Sequence, residues 1–356
     1  MKKRDKMQNF DYYICMLIMI FALISGCATP AAQVSRSLEP LPAAHVSRSF
    51  EPPDAQERAF PGFTAVIARE GDTLSSLAGQ YLNDPNMEWL IADFNGISSV
   101  TPGMEIIIPL KPYERGGLTY RGYQTVPVLV YHNFSLDKTD RMTVSKASFE
   151  DQMQLLKDKG YRVISLDQLF DFLDFKKQIP SKSVVITIDD GWKSAYEIAF
   201  PVLKKHGYPA TLFVYTNLIR SSRKAMTWEQ VKELADNGID IQCHTITHRD
   251  LAGAQEKESY KEYFDAVEKE IIQSSNIIKK NTGRDCRYLA YPFGNSSSIV
   301  VAILKRNGFR GAFTVRRGSS PFFINNYMVN RSMIYGEYDL KKFEKALTVF
   351  DDRGIK

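Results

Sequence analysis

VVITIDDGW, running from Val184 to Trp192, decides the fold. Val184, Val185, Ile186, Thr187 and Ile188 are apolar or β-branched without a break, which predicts a strand buried on both faces. Asp189, Asp190 and Gly191 follow at once. A carboxylate pair at the end of a buried strand is tolerable only beside a cation or solvent. Read alone, the stretch is a strand that ends in an Asp-Gly turn. The residues downstream change that reading.

Outward from this strand, residues 120–350 alternate strand and helix patterns. Val126 to Tyr131 reads as a strand ending at His132, and Phe149 to Lys159 as a helix closed by Gly160. Ala195 to His206 reads as a helix and Ala210 to Tyr215 as a strand. Trp228 to Asn237 follows as a helix, and Ile239 to Cys243 as a strand ending at His244. Tyr260 to Lys280 is a long amphipathic helix. Tyr288 to Tyr291, Ser298 to Asn307 and Gly311 to Val315 continue as strand, helix and strand. Repeated β-α units predict a parallel sheet or barrel, whose chemistry sits at the carboxyl ends of the strands. His132, Asp189, Asp190, His244 and His248 all fall at such ends.

His244 and His248 are four residues apart in CHTITHRDL, and Asp190 offers a third, oxygen ligand. Two imidazoles and a carboxylate form a common catalytic zinc set that leaves one position open for water. The segment is not a zincin helix, because Thr245 stands where that motif needs Glu. Further on, Leu289-Ala290-Tyr291-Pro292-Phe293-Gly294 runs a strand into a Pro-Gly bend that offers backbone N–H groups and aromatic rings.

Taken in order, Thr187-Ile188-Asp189-Asp190-Gly191, then His244-Thr245-Ile246-Thr247-His248, then Ala290-Tyr291-Pro292-Phe293-Gly294 resemble the polysaccharide deacetylase family, the NodB-type carbohydrate esterases. The resemblance covers roughly Val126 to Phe350. It implies an α/β fold, a distorted (β/α) barrel, that removes acetyl groups from N-acetylated sugars with a divalent metal. The implied metal ligands are Asp190, His244 and His248, with Asp189 as the general base. Zn, Co and Ni all suit that ligand set. A backbone N–H of the Tyr291–Gly294 bend would steady the oxyanion, and Tyr291, Pro292, Phe293, Gly294 and Trp192 would form the substrate pocket. Two departures stand out. Ala290 and Tyr291 occupy the region where many members carry an Arg that orients the base, and Arg331 is the candidate to replace it. No histidine follows His248, so the family's C-terminal acid is missing. The VPVLVYHNF opening looks like the branch that deacetylates poly-β-1,6-N-acetylglucosamine, in which a histidine after the first strand, here His132, is the acid.

The N-terminal third has other business. Lys2, Lys3, Arg4 and Lys6 precede an apolar run from Tyr12 to Ile24, too short for a comfortable membrane span and right for an export signal. Ile24-Ser25-Gly26-Cys27 resembles the bacterial lipobox, so residues 1–26 are expected to be a lipoprotein signal peptide, with Cys27 lipidated. Ala28 after it favours the outer membrane in a Gram-negative cell. Residues 31–42 and 43–54 are a tandem duplication rich in Pro, Ser and Ala, and 27–61 reads as an extended tether. Residues 62–111 read β-α-α-β, with Asp72 as the first helix's N-cap. GDTLSSLAGQYL, WLIADFNGI and TPGMEIIIP together resemble the LysM family, whose modules bind N-acetylglucosamine glycans such as peptidoglycan and chitin.

Composition is ordinary for a globular protein, with 44% apolar and 24% charged residues among 356. The net charge of +5 gives no reason to invoke nucleic acid. Cys243 and Cys286 read as buried free thiols. Three functions therefore compete: an envelope-tethered metal-dependent N-deacetylase, a non-catalytic glycan binder with a decayed barrel, and an esterase of O-acetyl groups on another glycan.

Overall fold

The computed structural model describes residues 58–60, 62–111 and 116–352. The expected signal peptide, Cys27 and the duplicated tether lie outside them. Among the described residues no helix is long and apolar enough to cross a membrane.

Seven parallel strands form the main sheet: β1 (Val128–Tyr131), β2 (Ser183–Asp190), β3 (Thr211–Val214), β4 (Asp240–Cys243), β5 (Tyr288–Ala290), β6 (Gly311–Phe313) and β7 (Ser332–Met333). Their spatial order is β6-β5-β4-β3-β2-β1-β7, and Arg162–Val163 adds a short strand beside the start of β2. Val329, just before β7, bridges Phe313 of β6. That bridge brings the two edges of the sheet together, so the sheet curls into a barrel closed by a seam instead of a full strand pair. The expected distorted (β/α) barrel is what the chain forms.

Strand parity explains the interior. Val184, Ile186 and Ile188 pack outward into the layer between sheet and helices, while Val185 joins the inner cluster with Val128, Phe213, Tyr288, Ala290 and Phe313. Alternation along β2 then turns Thr187 and Asp189 inward with Val185. One consequence of reading a continuous apolar run is confirmed: Ser183 to Asp189 are all buried.

Most helices fall where periodicity puts them. The long helix Tyr260–Thr282 starts at a capping box of Ser259 and Glu262 and stops at Gly283, whose φ of 72° suits the left-handed C-cap. The expected helix from Ala195 to His206 is instead a π-turn, Ala195–Ala199, running into an α-helix, Phe200–His206. Pro201 has no N–H to return to the preceding turn, which widens there.

The small module keeps its β-α-α-β order, Phe63–Ile67, Leu74–Leu82, Glu88–Asn95 and Glu105–Pro109, with two corrections. Arg58–Phe60 pairs with Phe63–Ile67, so regular structure starts inside the expected tether. Thr73, not Asp72, caps the first helix: its hydroxyl accepts from Ser76 N, whereas the Asp72 carboxylate accepts from Arg69 N. Extra reach for Asp72 is taken up by closing the preceding turn.

The module sits at the amino ends of the barrel strands, away from the ends that carry the candidate site. Arg162 pairs with Glu88 at 2.8 Å, and the Asp93 carboxylate accepts from Ser181 N and Oγ at 2.9 and 3.1 Å. A groove of about 940 Å³ lies between them, walled by Trp89, Tyr161 and Tyr208 among others.

Candidate metal centre

Asp189 faces into the barrel and is 2% exposed, a position that would be untenable for an unpaired carboxylate. Arg331, with no exposure at all, answers it. Its Nη1 donates to Asp189 Oδ1 at 2.7 Å and its Nη2 to Oδ2 at 2.8 Å. The guanidinium is itself fixed by Nε donating to Thr314 O and by lying over the rings of Phe213 and Phe313. Burial pushes the Asp189 carboxyl up, but the Arg331 charge, with His244 and His132 adding to it, holds the carboxyl below its usual range. Asp189 is therefore ionised, oriented, and still has lone pairs to spare.

Asp190 points the other way. Its φ of 80° breaks the strand's alternation, which is how two adjacent carboxylates reach separate environments. Trp192 Nε1 donates to Asp190 Oδ2 at 2.9 Å, leaving Oδ1 free. That oxygen lies 3.7 Å from His244 Nε2 and 3.8 Å from His248 Nε2, spans that two bonds of roughly 2.0–2.2 Å to one ion can cover. Asp190, His244 and His248 are the group of three potential metal ligands found among the described residues, with ligand atoms within 4.8 Å of one another.

The imidazoles are prepared as ligands. His244 Nδ1 lies 2.7 Å from Ala290 O, and since a carbonyl only accepts, Nδ1 carries the proton and Nε2 presents a lone pair. Burial pushes the His244 pKa down, against the pull of Asp189 and Asp190, which favours the neutral ring. His248 is turned by a tight loop: His248 N donates to Thr245 Oγ1 at 3.0 Å, and Thr245 and His248 have φ of 73° and 63°. Left-handed backbone in a β-branched Thr is unusual and tends to gather at functional sites. The donor set, two imidazole nitrogens and one carboxylate oxygen, fits a divalent borderline metal.

The remaining expected residues divide. His132 follows β1, which pairs with β2 so that Tyr131 lies level with Ile188. One step on, His132 is level with Asp189 on the inward face, close enough to lower its pKa. It is half-buried and has no hydrogen-bond partner among the described residues. Phe293 is 61% exposed with its ring edge against His248, centroids 4.8 Å apart. Its φ is 59°, and its N–H finds no acceptor among the described residues, while Tyr291 N donates to Phe313 O and Gly294 N to Tyr291 O. The bend thus offers one free N–H, that of Phe293. Gly294 is needed there: at φ 76° an added Cβ would lie 2.6 Å from Val315 N. Pro292 is buried beneath the bend.

Tyr291 is a correction. It is fully buried in the layer outside the sheet, its hydroxyl donates to Tyr327 O, and it cannot wall a substrate pocket. Trp192 is half-buried beside the site, where its indole N–H holds Asp190. Tyr215 is the residue that sequence reading passed over. It follows β3 directly, the same strand-end position that singled out the others, and its ring centroid lies 5.2 Å from His248. Cys243 and Cys286 are free and buried, with burial pushing the Cys243 thiol up to about 11.

Comparison with known proteins agrees with this geometry. The polysaccharide deacetylase family profile matches residues 176–312. A Bacillus subtilis protein named as a polysaccharide deacetylase, YxkH, is 31% identical over 206 residues, 58% of this chain and 70% of that one. The poly-β-1,6-N-acetyl-D-glucosamine N-deacetylase of Staphylococcus epidermidis is 28% identical over 197 residues, covering 54% and 68%. Among solved structures, the Streptococcus pyogenes deacetylase PplD in complex with acetate superposes with a TM-score of 0.57 at 25% identity, over 64% of this chain and 99% of that one. The chain belongs to the polysaccharide deacetylase family. It is a metal-dependent hydrolase, and the intact Asp-His-His set and the buried Arg331–Asp189 pair answer the reading of a decayed barrel.

Proposed function

We propose that this protein is an exported N-deacetylase of N-acetylglucosamine polysaccharide at the cell envelope, with poly-β-1,6-N-acetylglucosamine as substrate. The observation that carries this reading is His132 standing level with Asp189 at the mouth of the barrel, unpartnered, in a chain similar to an enzyme named for that polymer. Asp190, His244 and His248 would hold the metal, zinc by its common use of two imidazoles and a carboxylate, with cobalt or nickel as substitutes. A divalent cation there supplies Lewis acidity toward water and the acetyl carbonyl.

The protein's residues do the rest. Asp189, kept ionised by Arg331, takes the proton of the attacking water. Phe293 N–H donates to the carbonyl oxygen as it gains negative charge. His132 gives a proton to the departing sugar nitrogen as the C–N bond breaks, so that water and amide become acetate and amine. Phe293 and Tyr215 flank His248 and form the wall against which a sugar ring packs.

The N-terminal regions fit the same setting. Cys27 is acylated and ties the protein to a membrane surface, residues 62–111 are a LysM module that holds peptidoglycan or a related glycan, and the chain between is a tether. Acetate release from β-1,6 and β-1,4 N-acetylglucosamine oligomers, with Zn²⁺ and with chelator, tests the proposal. Metal-dependent release that favours β-1,6 oligomers is expected. Preference for β-1,4 oligomers would move the substrate to peptidoglycan or chitin-like chains. Release from O-acetylated glycans alone would make the enzyme an esterase.

A further inference from the structure

The long helix Tyr260–Thr282 buries a stripe of Tyr263, Val267, Glu270, Ile271, Ser274 and Ile278. A carboxylate in such a stripe is expensive unless its oxygens are satisfied. Glu270 is 8% exposed, and among the described residues every hydrogen bond its carboxylate accepts comes from the loop between the two candidate histidine ligands. Oε2 accepts from Ile246 N at 2.8 Å and from Thr247 N at 2.9 Å, and Oε1 accepts from Thr247 Oγ1 at 2.8 Å. One turn along the helix, Ser274 Oγ donates to Thr245 O at 2.9 Å. The nearby Arg249 is engaged by Glu258 through two hydrogen bonds.

The loop needs such a clamp. Thr245 and His248, on either side of Ile246 and Thr247, both have left-handed backbone, which strains non-glycine residues. Their conformations turn His248 back toward Asp190, and Glu270 ties down the two N–H groups between them. We infer that Glu270 is a positioning residue: it holds the His244–His248 loop in its metal-binding shape before any metal arrives. This inference rests on the metal centre and not on the identity of the substrate.

The test uses Co²⁺ alone with the full chain in detergent, stripped of metal by chelator. Affinity is read by competition with a chromophoric chelator, and coordination by the visible absorption of bound Co²⁺. Glu270→Gln keeps the shape of the side chain but replaces one acceptor oxygen with a donor. We expect Co²⁺ affinity to fall about 10- to 100-fold, the range seen when the partners of metal ligands are removed, with an altered visible spectrum. Thr247→Val removes only the hydroxyl contact and serves if Glu270→Gln fails to fold; a several-fold loss is expected. Wild-type affinity and spectrum in folded Glu270→Gln, or in Thr247→Val when the former is unfolded, overturns the inference. A wild-type chain that binds no Co²⁺ overturns the metal centre itself.

Discussion

Arg331 meets Asp189 through two parallel hydrogen bonds, 2.7 and 2.8 Å long, in a space that neither side chain shares with solvent. Removing one partner of such a pair leaves an uncompensated buried charge and typically costs 3–5 kcal/mol. Arg331→Met should therefore lower stability by roughly that amount and reduce kcat by on the order of 10²-fold or more, since the base loses both orientation and charge. Adding Asp189→Asn should restore part of the stability and none of the activity. Denaturant melts of both variants check the first half and acetate release the second. A double variant no more stable than Arg331→Met would mean the pair is not coupled.

His132 stands apart from the metal set, so its loss should separate binding from turnover. We expect His132→Ala to lower kcat by about 10²-fold, the lower end of general acid catalysis, with metal content unchanged. Metal analysis and steady-state rates on one preparation decide it. Wild-type turnover would mean that another group protonates the amine.

Metal removal should silence the enzyme and soften it. With ligand at about 100 times its Kd, a metal that binds only the folded chain adds about 2.7 kcal/mol. Chelator should abolish acetate release and lower Tm, and His248→Ala should show the low Tm whether or not metal is added. Equal melting of the wild type with and without Zn²⁺ would contradict the assignment of Asp190, His244 and His248.

At Gly294 the backbone has φ 76° and Val315 lies against the Cα. Gly294→Ala must push the bend away from Val315, and with it the Phe293 N–H. We expect kcat to drop about 10- to 100-fold, below the full loss of an oxyanion donor, with KM changed far less. A fall in KM-linked binding alone would place the bend in substrate recognition only.

Acid should loosen the barrel through Arg310, which pairs with Asp171 and Asp174. Burial pushes the Asp174 carboxyl up, but hydrogen bonds from Arg310, Asn326 and Lys176 hold it below its usual range. A carboxyl whose pKa is lowered by folding takes up its proton more readily in the unfolded chain. Its contribution is complete above the unfolded value of about 3.9 and fades as pH falls through the folded one. Tm should thus fall from about pH 5 to about pH 3, and the gap between wild type and Arg310→Leu should narrow over that interval. Calorimetry across the range reads it directly; a constant gap would show that Arg310 is not the source.

The strand ending in Asp189 and Asp190 is legible in sequence because burial on both faces leaves an uninterrupted apolar run, and charge at its end is conspicuous. His244 and His248 are legible by spacing and by their position after a strand. Tyr291 is misread although parity was available: Ala290 faces the interior, so the next residue faces the helices. Arg331 sits beside a two-residue strand without periodicity, and only the family resemblance, through the orienting Arg missing near Ala290 and Tyr291, pointed to it. Tyr215 and Glu270 stay hidden for different reasons. Tyr215 lies in no motif, and Glu270 looks like one more charge on a polar helix until the loop is packed against it.

The seam of the barrel has a temporal meaning. Asp189, Asp190, His244 and His248 precede β6, whereas Arg331 comes two residues after Val329, whose bridge to Phe313 joins the sheet's edges. A chain built from its N-terminus possesses every chelating side chain well before it possesses the cation that steadies its base. On the proposed mechanism, hydrolysis begins only when the last stretch folds back to shut the cylinder, so that completing the fold and arming the enzyme are a single event.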